Sequence, residues 1–374
     1  MLLILAIILL TTHTFRLTLC DTHLWSKGIG AVENNSFLNP KLFFPCLIPI
    51  CDEEYGCFEP VNLLTYPVTM PPLFACPEVE KKDTVRFLVL SKNNPTEFTT
   101  IQAIEPGSKV NLFFTAYYSE YDSAPFVTVA LALLKKCDHV VVVDWSRLGA
   151  PPIVNSIRPF YVSGYLALTN TILVGRIGCK FIKYLSKIKR LDPSNIFGIG
   201  YSAGGSALGF YSDFCRENYS IRFKHLMALD LPSFAFRRSN YALTNHTHAD
   251  FVDILLTTVS IPVPVIDELI SFTFDFGLIE VLGDCVYIVN PQHILGEQPK
   301  CEGILPTCSH LFSTTVFISA YSRKCLFRFS PCPPSFNIWG KSSSSTGYTR
   351  LDCTDHPYLK RTCIYTSPNP IQAC

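Results

Sequence analysis

The sequence predicts an α/β protein with a largely buried sheet and cysteine-rich segments outside it. From Thr84 onward, apolar runs of strand length alternate with longer stretches of helical periodicity. The strand-like runs are almost continuously apolar, which is typical of strands that are covered on both faces. One of these runs leads through a turn of small residues around Ser202 into a helical stretch. Together these patterns favour a mostly parallel central sheet.

The first 83 residues lack this alternation. Residues 2–10 form an apolar run too short to span a bilayer comfortably, and Thr18 and Cys20 are small residues placed as before a signal-peptidase cut. We therefore expect residues 1–20 to be a signal peptide, with an amino-terminal anchor helix as the alternative. Residues 21–83 are rich in proline and cysteine and are predicted to be a disulfide-tied extension.

Residues 84–374 are predicted to form the α/β domain. Strands are expected over residues 85–90, 109–115, 139–144, 195–201, 225–231 and 250–256, and helices over 125–136, 159–187 and 203–216. From about Cys325 onward the chain is expected to be loop-like, because several prolines and a serine run interrupt it. No fixed-period repeat is present, which argues against a solenoid or a propeller.

Composition excludes some functions and favours one compartment. With Lys+Arg 31 against Asp+Glu 30, the chain has no basic surplus for nucleic-acid binding. Charged residues make up 16% and aromatic residues 13%, so either the surface or the binding partner is expected to be apolar. The 16 cysteines are typical of an oxidising compartment, so we expect a secreted protein. Sequons at Asn34, Asn218 and Asn245 fit a secreted glycoprotein.

The most informative motif is Gly-Tyr-Ser-Ala-Gly at residues 200–204, between a predicted strand and a predicted helix. A sharp turn there exposes a serine as a nucleophile, and only small residues fit two positions on either side of it. Gly198, Gly200 and Ala203 also satisfy a dinucleotide-binding fingerprint, but no acidic residue closes a second strand about twenty positions later. The pattern therefore favours a nucleophile over a dinucleotide loop or a plain packing turn.

A serine nucleophile of this type requires an acid and a histidine later in the chain. Asp230 ends an apolar run and is the favoured acid, whereas its rival Asp253 lies within a predicted strand. Spacing alone cannot choose among the later histidines. His310 stands out because Cys308, two residues earlier, could cross-link the loop that carries it; the others are His225, His246, His248, His293 and His356.

Seven segments between about residues 85 and 322 resemble the pancreatic lipase-like branch of the α/β-hydrolases, which includes secreted lipases and phospholipases A1. They occur in the family's order: Phe-Leu-Val-Leu-Ser-Lys-Asn-Asn-Pro at 87–95, Val-Val-Val-Asp-Trp-Ser at 141–146, Asn-Thr-Ile-Leu-Val-Gly at 170–175, Ala-Leu-Asp-Leu-Pro at 228–232, Ala-Asp-Phe-Val-Asp-Ile at 249–254, Glu-Gln-Pro-Lys-Cys at 297–301 and Cys-Ser-His-Leu-Phe-Ser at 308–313. The resemblance implies an α/β-hydrolase fold with helices on both faces of the sheet, and a catalytic domain over residues 84–374.

The resemblance also implies the roles of individual residues. Ser202 would be the nucleophile, Asp230 the acid and His310 the base, and the backbone amides of Tyr117 and Ala203 would hold the oxyanion. In the family, a histidine and a glycine precede the first of these amides. Thr115 and Ala116 stand there in this chain, so that loop cannot use the conformational freedom of glycine.

Two further expectations concern a metal site and the lid over the active site. The positions that supply acidic calcium ligands in some lipases hold Asn240, Leu243, Asn245 and His248, so we predict no calcium site, no metal and no cofactor. The resemblance implies a lid disulfide between Cys301 and Cys308, and the six residues that it encloses would form a short lid of the phospholipase A1 kind. A second bridge is expected between Cys325 and Cys332.

These observations predict a secreted carboxylic ester hydrolase that acts on glycerolipids at a membrane or micelle interface. The 64 residues after His310 (374 − 310) are too few for the family's carboxyl-terminal β-sandwich, so no colipase partner is expected. The alternative is a weakly active or inactive lipid-binding or storage protein on the same scaffold, which the change at Thr115 and Ala116 favours.

Overall fold

A computed structural model describes residues 48–62, 74–116, 121–149, 157–232, 243–258, 282–291, 298–299, 301, 307–323, 325–332, 347–349, 351 and 361–366. All of them belong to one compact unit, Leu47–Cys374. None of the helices in these ranges is both long enough and apolar enough to cross a bilayer.

Strands and helices are numbered in chain order. The strands are β1 Ile50–Asp52, β2 Gly56–Phe58, β3 Val61–Asn62, β4 Phe74–Ala75, β5 Arg86–Ser91, β6 Asn94–Thr99, β7 Val110–Phe114, β8 His139–Asp144, β9 Phe197–Tyr201, β10 Phe223–Leu229, β11 Ala249–Leu256, β12 Cys285–Val289, β13 Phe327–Pro331, β14 Gly347–Thr349 and β15 Arg361–Tyr365. The helices are α1 Ala124–Leu133, α2 Ser146–Gly149, α3 Ile157–Lys189, α4 Ala203–Tyr219 and α5 Thr307–Arg323.

Eleven of the described strands form one sheet, in the order β14-β13-β15-β12-β11-β10-β9-β7-β8-β5-β6. The seven central strands, from β15 to β8, run parallel, and the pairs at both edges are antiparallel. The carboxyl ends of the parallel strands therefore meet at one edge of the sheet, where open α/β sheets place their sites. The predicted α/β class and mostly parallel sheet are confirmed.

Helices cover both faces of the sheet. Successive side chains of a strand point to opposite faces, and in β7 Leu112 and Phe114 join the core that contains α3 and α4. Phe113, between them, joins the second core, which contains α1 and α5. Burial on both faces explains why the central strands are almost continuously apolar in sequence.

The predicted strands and helices agree with the structure to within a few residues at each end, and β8 has the predicted bounds. The expectation of a loop-like chain from Cys325 onward is wrong, because β13, β14 and β15 add three strands to the sheet. These strands have five residues or fewer, too few for an apolar pattern to stand out among the neighbouring prolines and serines. The strands β6 and β12 and the helix α5 were not predicted from the sequence either.

Helices α3 and α4 cross at close range, at Gly175. A β-carbon on Gly175 would lie 2.6 Å from the backbone nitrogen of Tyr211 and 2.7 Å from the carbonyl oxygen of Ala207. One helical turn further along α3, Cys179 forms a disulfide with Cys215 of α4. A residue without a side chain and a covalent bridge thus hold the two helices together beneath the sheet.

The cysteines follow the predicted pattern in part. Cys301 is bonded to Cys308, as expected, and Cys51 to Cys57 across the β1–β2 hairpin. The expected bridge between Cys325 and Cys332 is wrong, since Cys332 is bonded to Cys363, which lies on the strand beside β13. Further disulfides are formed by Cys76, Cys285 and Cys325.

Among the cysteines that the structure describes, Cys137 is in no disulfide. Its side chain is 3% exposed just after the turn that follows α1, and its Sγ donates a hydrogen bond to the carbonyl oxygen of Leu133, the last residue of α1. Burial raises the pKa of the Cys137 thiol to about 12. The thiol is therefore neutral and shielded in the folded protein.

The described part of the cysteine-rich extension packs on α3. Arg176 donates hydrogen bonds to the carbonyl oxygens of Tyr55 and Cys57, and its guanidinium lies 4.2 Å from the ring centroid of Phe58. Phe58 is 1% exposed and belongs to the same core as α3. The division of the chain at residues 20 and 83 stays a prediction, and residues 1–47 lie outside the described part.

Candidate active site

Ser202 lies in the sharp turn between β9 and α4. Its backbone has φ 54° and ψ −127°, a conformation that residues with a side chain rarely adopt. A β-carbon on Gly200 would lie 2.3 Å from the carbonyl oxygen of Gly204, and one on Gly204 would lie 2.4 Å from the carbonyl oxygens of Phe114 and Thr115. Glycine is therefore required two positions before and after Ser202, as the motif predicts.

Asp230 follows β10, the strand beside β9. Its side chain is fully buried, and its backbone also has a positive φ, 46°. Oδ1 accepts hydrogen bonds from the backbone N–H groups of Thr257 (2.7 Å) and Thr258 (3.0 Å), and Oδ2 accepts one from the hydroxyl of Thr258 (2.6 Å). These donors lie just beyond β11, so two neighbouring strand ends fix the orientation of the carboxyl group.

His310 lies in the first turn of α5 and contacts Asp230. Its Nδ1 is 2.6 Å from Oδ2 of Asp230, within hydrogen-bond distance. A carboxylate at Nδ1 favours the tautomer that carries its proton there, which leaves Nε2 able to accept a proton. The structure thus brings Asp230 and His310 into contact, and the rings of His310 and Tyr201 lie 4.9 Å apart between centroids.

Ser202 lies at the same edge as this pair. Its backbone N–H donates to the carbonyl oxygen of Leu229, the residue before Asp230, at 2.9 Å. Ser202 is 7% exposed and His310 is 6% exposed, so most of both residues is shielded from water. Burial, followed by the charge of Asp230, raises the pKa of Tyr201, which therefore stays a neutral ring beside them.

Of the two amides expected to hold an oxyanion, the structure describes one. Ala203 is the first residue of α4, so its N–H is one of the free donors at a helix amino terminus. Tyr117 lies outside the described residues. Just before it, neither Thr115 nor Ala116 has a positive φ, and the carbonyl oxygen of Thr115 accepts a hydrogen bond from Nε1 of Trp145 at 2.8 Å. Up to Ala116, the loop therefore does not need a glycine.

The rival acid Asp253 has a different partner. It is 1% exposed within β11, and its Oδ2 is 2.7 Å from Nε2 of His225 on β10. This second acid–histidine pair lies within the strands, away from the edge that carries Ser202. Of the other predicted candidates, His293 and His356 lie outside the described residues.

The positions compared with calcium ligands are described in part. His248 is buried, and its Nε2 is 3.3 Å from Oδ2 of Asp213, while its Nδ1 accepts a hydrogen bond from the backbone N–H of Asn245 at 2.8 Å. Leu243 is an apolar core residue. Within the described ranges no group of three or more histidine, cysteine, aspartate or glutamate side chains could hold a metal ion.

Sequence reasoning missed Thr257, Thr258 and Gln298. Thr257 and Thr258 follow β11 at the edge that carries Asp230, so their position after a predicted strand was a usable signal. Gln298 belongs to one of the segments that resemble the lipase-like family, but its side-chain contacts join residues far apart in sequence. No local sequence pattern could have revealed these contacts of Gln298.

Known proteins of similar sequence include phospholipases A1 and a triacylglycerol lipase. No family model matches the chain. A phospholipase A1 of the wasp Vespa tropica is 26% identical over 65% of this chain and 79% of its own length. Human pancreatic triacylglycerol lipase is 23% identical over 78% of this chain and 62% of its own length. Among solved structures, an ester hydrolase from the metagenome of Lake Arreo matches over 64% of this chain and 75% of that chain with 12% identity and a TM-score of 0.34, too low to add to the fold described above.

The sequence relatives therefore include both a phospholipase A1 and a triacylglycerol lipase. With relatives at 23–26% identity, the chain is similar to members of the pancreatic lipase-like family of α/β-hydrolases.

Proposed function

We propose that this protein is a secreted ester hydrolase that releases fatty acids from glycerolipids by way of an acyl-enzyme on Ser202. The observation that carries the proposal is the short contact between Asp230 and His310 at the strand ends that also carry Ser202. A serine hydroxyl becomes a nucleophile only when a base takes its proton, and this pair supplies an oriented base.

The reaction follows from the roles of these groups. Nε2 of His310 accepts the proton of Ser202 as the hydroxyl attacks the ester carbonyl, and Asp230 stabilises the imidazolium that forms. The N–H of Ala203, at the start of α4, donates to the oxyanion, and the N–H of Tyr117 is proposed as the second donor. His310 then protonates the leaving alcohol, and water releases the fatty acid by the same steps.

A phospholipid is the proposed main substrate. The disulfide between Cys301 and Cys308, a residue of the helix that carries His310, encloses only six residues, which we propose as the lid. A lid this short suits a lipid whose large polar head group remains in water during binding. The match to a phospholipase A1 of Vespa tropica supports the same substrate class.

Secretion is part of the proposal. The described disulfides persist in an oxidising compartment and are rare in the cytosol. When the full chain is expressed in cells with a secretory pathway, we expect it in the medium with Asp21 as its first residue. Retention of an uncleaved chain at a membrane would support the amino-terminal anchor instead.

The experiment that tests the function is fatty-acid release by the secreted protein from phosphatidylcholine vesicles and from a triacylglycerol emulsion. We expect faster release from phosphatidylcholine, and Ser202→Ala should abolish both activities. Ser206→Ala is the matched control, because Ser206 is a fully buried serine one turn further along α4 whose hydroxyl has no hydrogen-bond partner among the described residues.

Two outcomes would contradict the proposal. Full activity in Ser202→Ala would exclude Ser202 as the nucleophile. A wild-type protein that binds lipid vesicles but neither hydrolyses them nor reacts with an organophosphate would instead support the lipid-binding alternative, since labelling by an organophosphate requires an activated serine.

A further inference from the structure

A buried polar network links the carboxyl ends of β11 and β12 to the start of α5. Gln298, which is 2% exposed, lies at its centre. Its Nε2 donates hydrogen bonds to the carbonyl oxygen of Thr257, beyond β11, at 2.7 Å and to that of Val289, the last residue of β12, at 3.0 Å. One amide group therefore joins two neighbouring strand ends.

The other polar groups of Gln298 are also paired. Its Oε1 accepts a hydrogen bond from Nδ2 of Asn290 at 2.9 Å, and its backbone N–H donates to Oγ of Ser309 at 2.9 Å. Ser309 is fully buried in the first turn of α5. A buried amide whose donors and acceptor are all satisfied holds its surroundings in a single arrangement.

The two sides of this network lead to the two partners of the acid–histidine contact. On one side, Thr257 accepts from Gln298 through its carbonyl and donates to Asp230 through its N–H. On the other side, Ser309 immediately precedes His310. A single residue thus separates Gln298 from each partner: Thr257 on the side of Asp230 and Ser309 on the side of His310.

We propose that Gln298 is a positioning residue that holds Asp230 and His310 in register for proton transfer. The inference rests on the proposed function, since it assigns a role in that reaction. A purely structural role would lower the stability of the fold without changing the reactivity of molecules that remain folded. A positioning role lowers the reactivity of Ser202 in folded molecules.

Two variants separate these roles. Gln298→Met keeps the length of the side chain but removes the two amide donors and the amide acceptor, while its backbone N–H still donates to Ser309. Ser309→Ala removes the hydroxyl that accepts this bond, one residue before His310. Thr366→Val is the matched control, because the Thr366 hydroxyl accepts from Nδ2 of Asn290 at 2.7 Å, on the side of the network away from His310.

The measurement is inactivation by a soluble organophosphate, followed to completion. Its amplitude gives the fraction of folded, competent sites, and its rate constant gives the reactivity of Ser202 in those sites. We expect the rate constant to fall about tenfold in Gln298→Met and about threefold in Ser309→Ala, because small displacements of a catalytic group cost rate steeply. Thr366→Val should keep the wild-type rate constant. With a soluble short-chain ester, kcat should fall in parallel while KM stays unchanged.

The outcomes are distinguishable. Wild-type rate constants in both variants, with only the amplitude reduced, would overturn the positioning role and leave the proposed function intact. If Gln298→Met does not fold, the rate constant of Ser309→Ala decides. A wild-type protein that is not labelled at all would overturn both the proposed function and this inference.

Discussion

Ser202, Asp230 and Asn290 each have a positive φ angle at the ends of three parallel strands. Their φ angles are 54°, 46° and 46°, in the region that favours glycine. Each such residue costs on the order of 1–3 kcal/mol and persists only where its surroundings hold it. Here each one turns the chain sharply after a strand and directs a polar side chain to the same edge of the sheet.

At the scale of single residues, the charge of Asp230 is open to test. Asp230→Asn keeps the shape of the side chain, but its amide would donate to Nδ1 of His310 and so leave the proton on Nε2, where it blocks acceptance from Ser202. We expect kcat to fall by about 10⁴-fold with little change in KM. Ester hydrolysis measures this, with Asp250→Asn as the control at an exposed aspartate. A fall of less than tenfold would argue against the proposed role.

His139 makes the stability of the fold depend on pH. Burial lowers the pKa of this histidine, which is 3% exposed and whose Nδ1 has no hydrogen-bond partner among the described residues. Below about pH 6.5 the histidine is protonated in the unfolded chain but still neutral in the folded protein. The free energy of unfolding is therefore highest above about pH 6.5 and falls as the pH drops below it.

The variant His139→Phe, which keeps a ring but cannot titrate, should weaken this dependence. Urea unfolding at pH 7.5, 6.5 and 5.5 measures it, and His246→Gln is the control at an exposed histidine. Parallel curves for wild type and His139→Phe would contradict the prediction.

The residues of the candidate site differ in how far sequence could predict them. Ser202 lies in a local motif that fixes both its neighbours and its conformation, so a short stretch of sequence was sufficient. Asp230 was favoured from its place at the end of an apolar run, but the choice of His310 among several histidines needed the resemblance to a family, since the two residues are 80 positions apart and meet only through the sheet. Thr257 and Gln298 act through the positions of strand ends, which only the folded sheet defines.

At the scale of helices and strands, the crossing of α3 and α4 is the most constrained contact. In an isolated helix, Gly175→Ala would favour folding by about 1 kcal/mol. Here the new methyl group would collide with the backbone of α4, so we expect the opposite sign, a loss of about 1–3 kcal/mol in unfolding free energy. Lys187→Ala, at an exposed position of α3, should be nearly neutral. Urea denaturation distinguishes the two, and a stabilised Gly175→Ala would refute the close crossing.

Most strands in the middle of the sheet were predicted and those at its two edges were not, although the fully buried central strand β12 was also missed. A central strand such as β8 is apolar along its whole length because it is covered on both faces. In β6, the antiparallel edge strand, most residues are partly or fully exposed and Pro95 is present, so it has no apolar pattern to recognise. An edge position, which depends on the whole fold, thus removes the apolar pattern by which a strand is recognised in sequence.

At the scale of the whole molecule, covalent bridges join parts of the chain that a core alone would hold less tightly. The disulfide between Cys179 and Cys215 spans 36 residues, and the one between Cys332 and Cys363 spans 31. Closing loops of this length typically stabilises a fold by about 3–4 kcal/mol. The number of cysteines predicts an oxidising compartment, but it could not predict the pairing of Cys332, which depends on the strands that become neighbours.

The shielded thiol of Cys137 gives the molecule a built-in reporter of its own opening. With a pKa of about 12 and 3% exposure, it should react with an alkylating reagent at pH 8 only after the core that contains α1 opens. Its alkylation rate, assigned by peptide mapping, should therefore rise with urea in step with global unfolding and should be faster in Gly175→Ala than in wild type. Rapid labelling in the absence of denaturant would show that α1 opens independently. The alkylation rate of a thiol on one face of the sheet would then report how firmly α3 and α4 are packed on the opposite face.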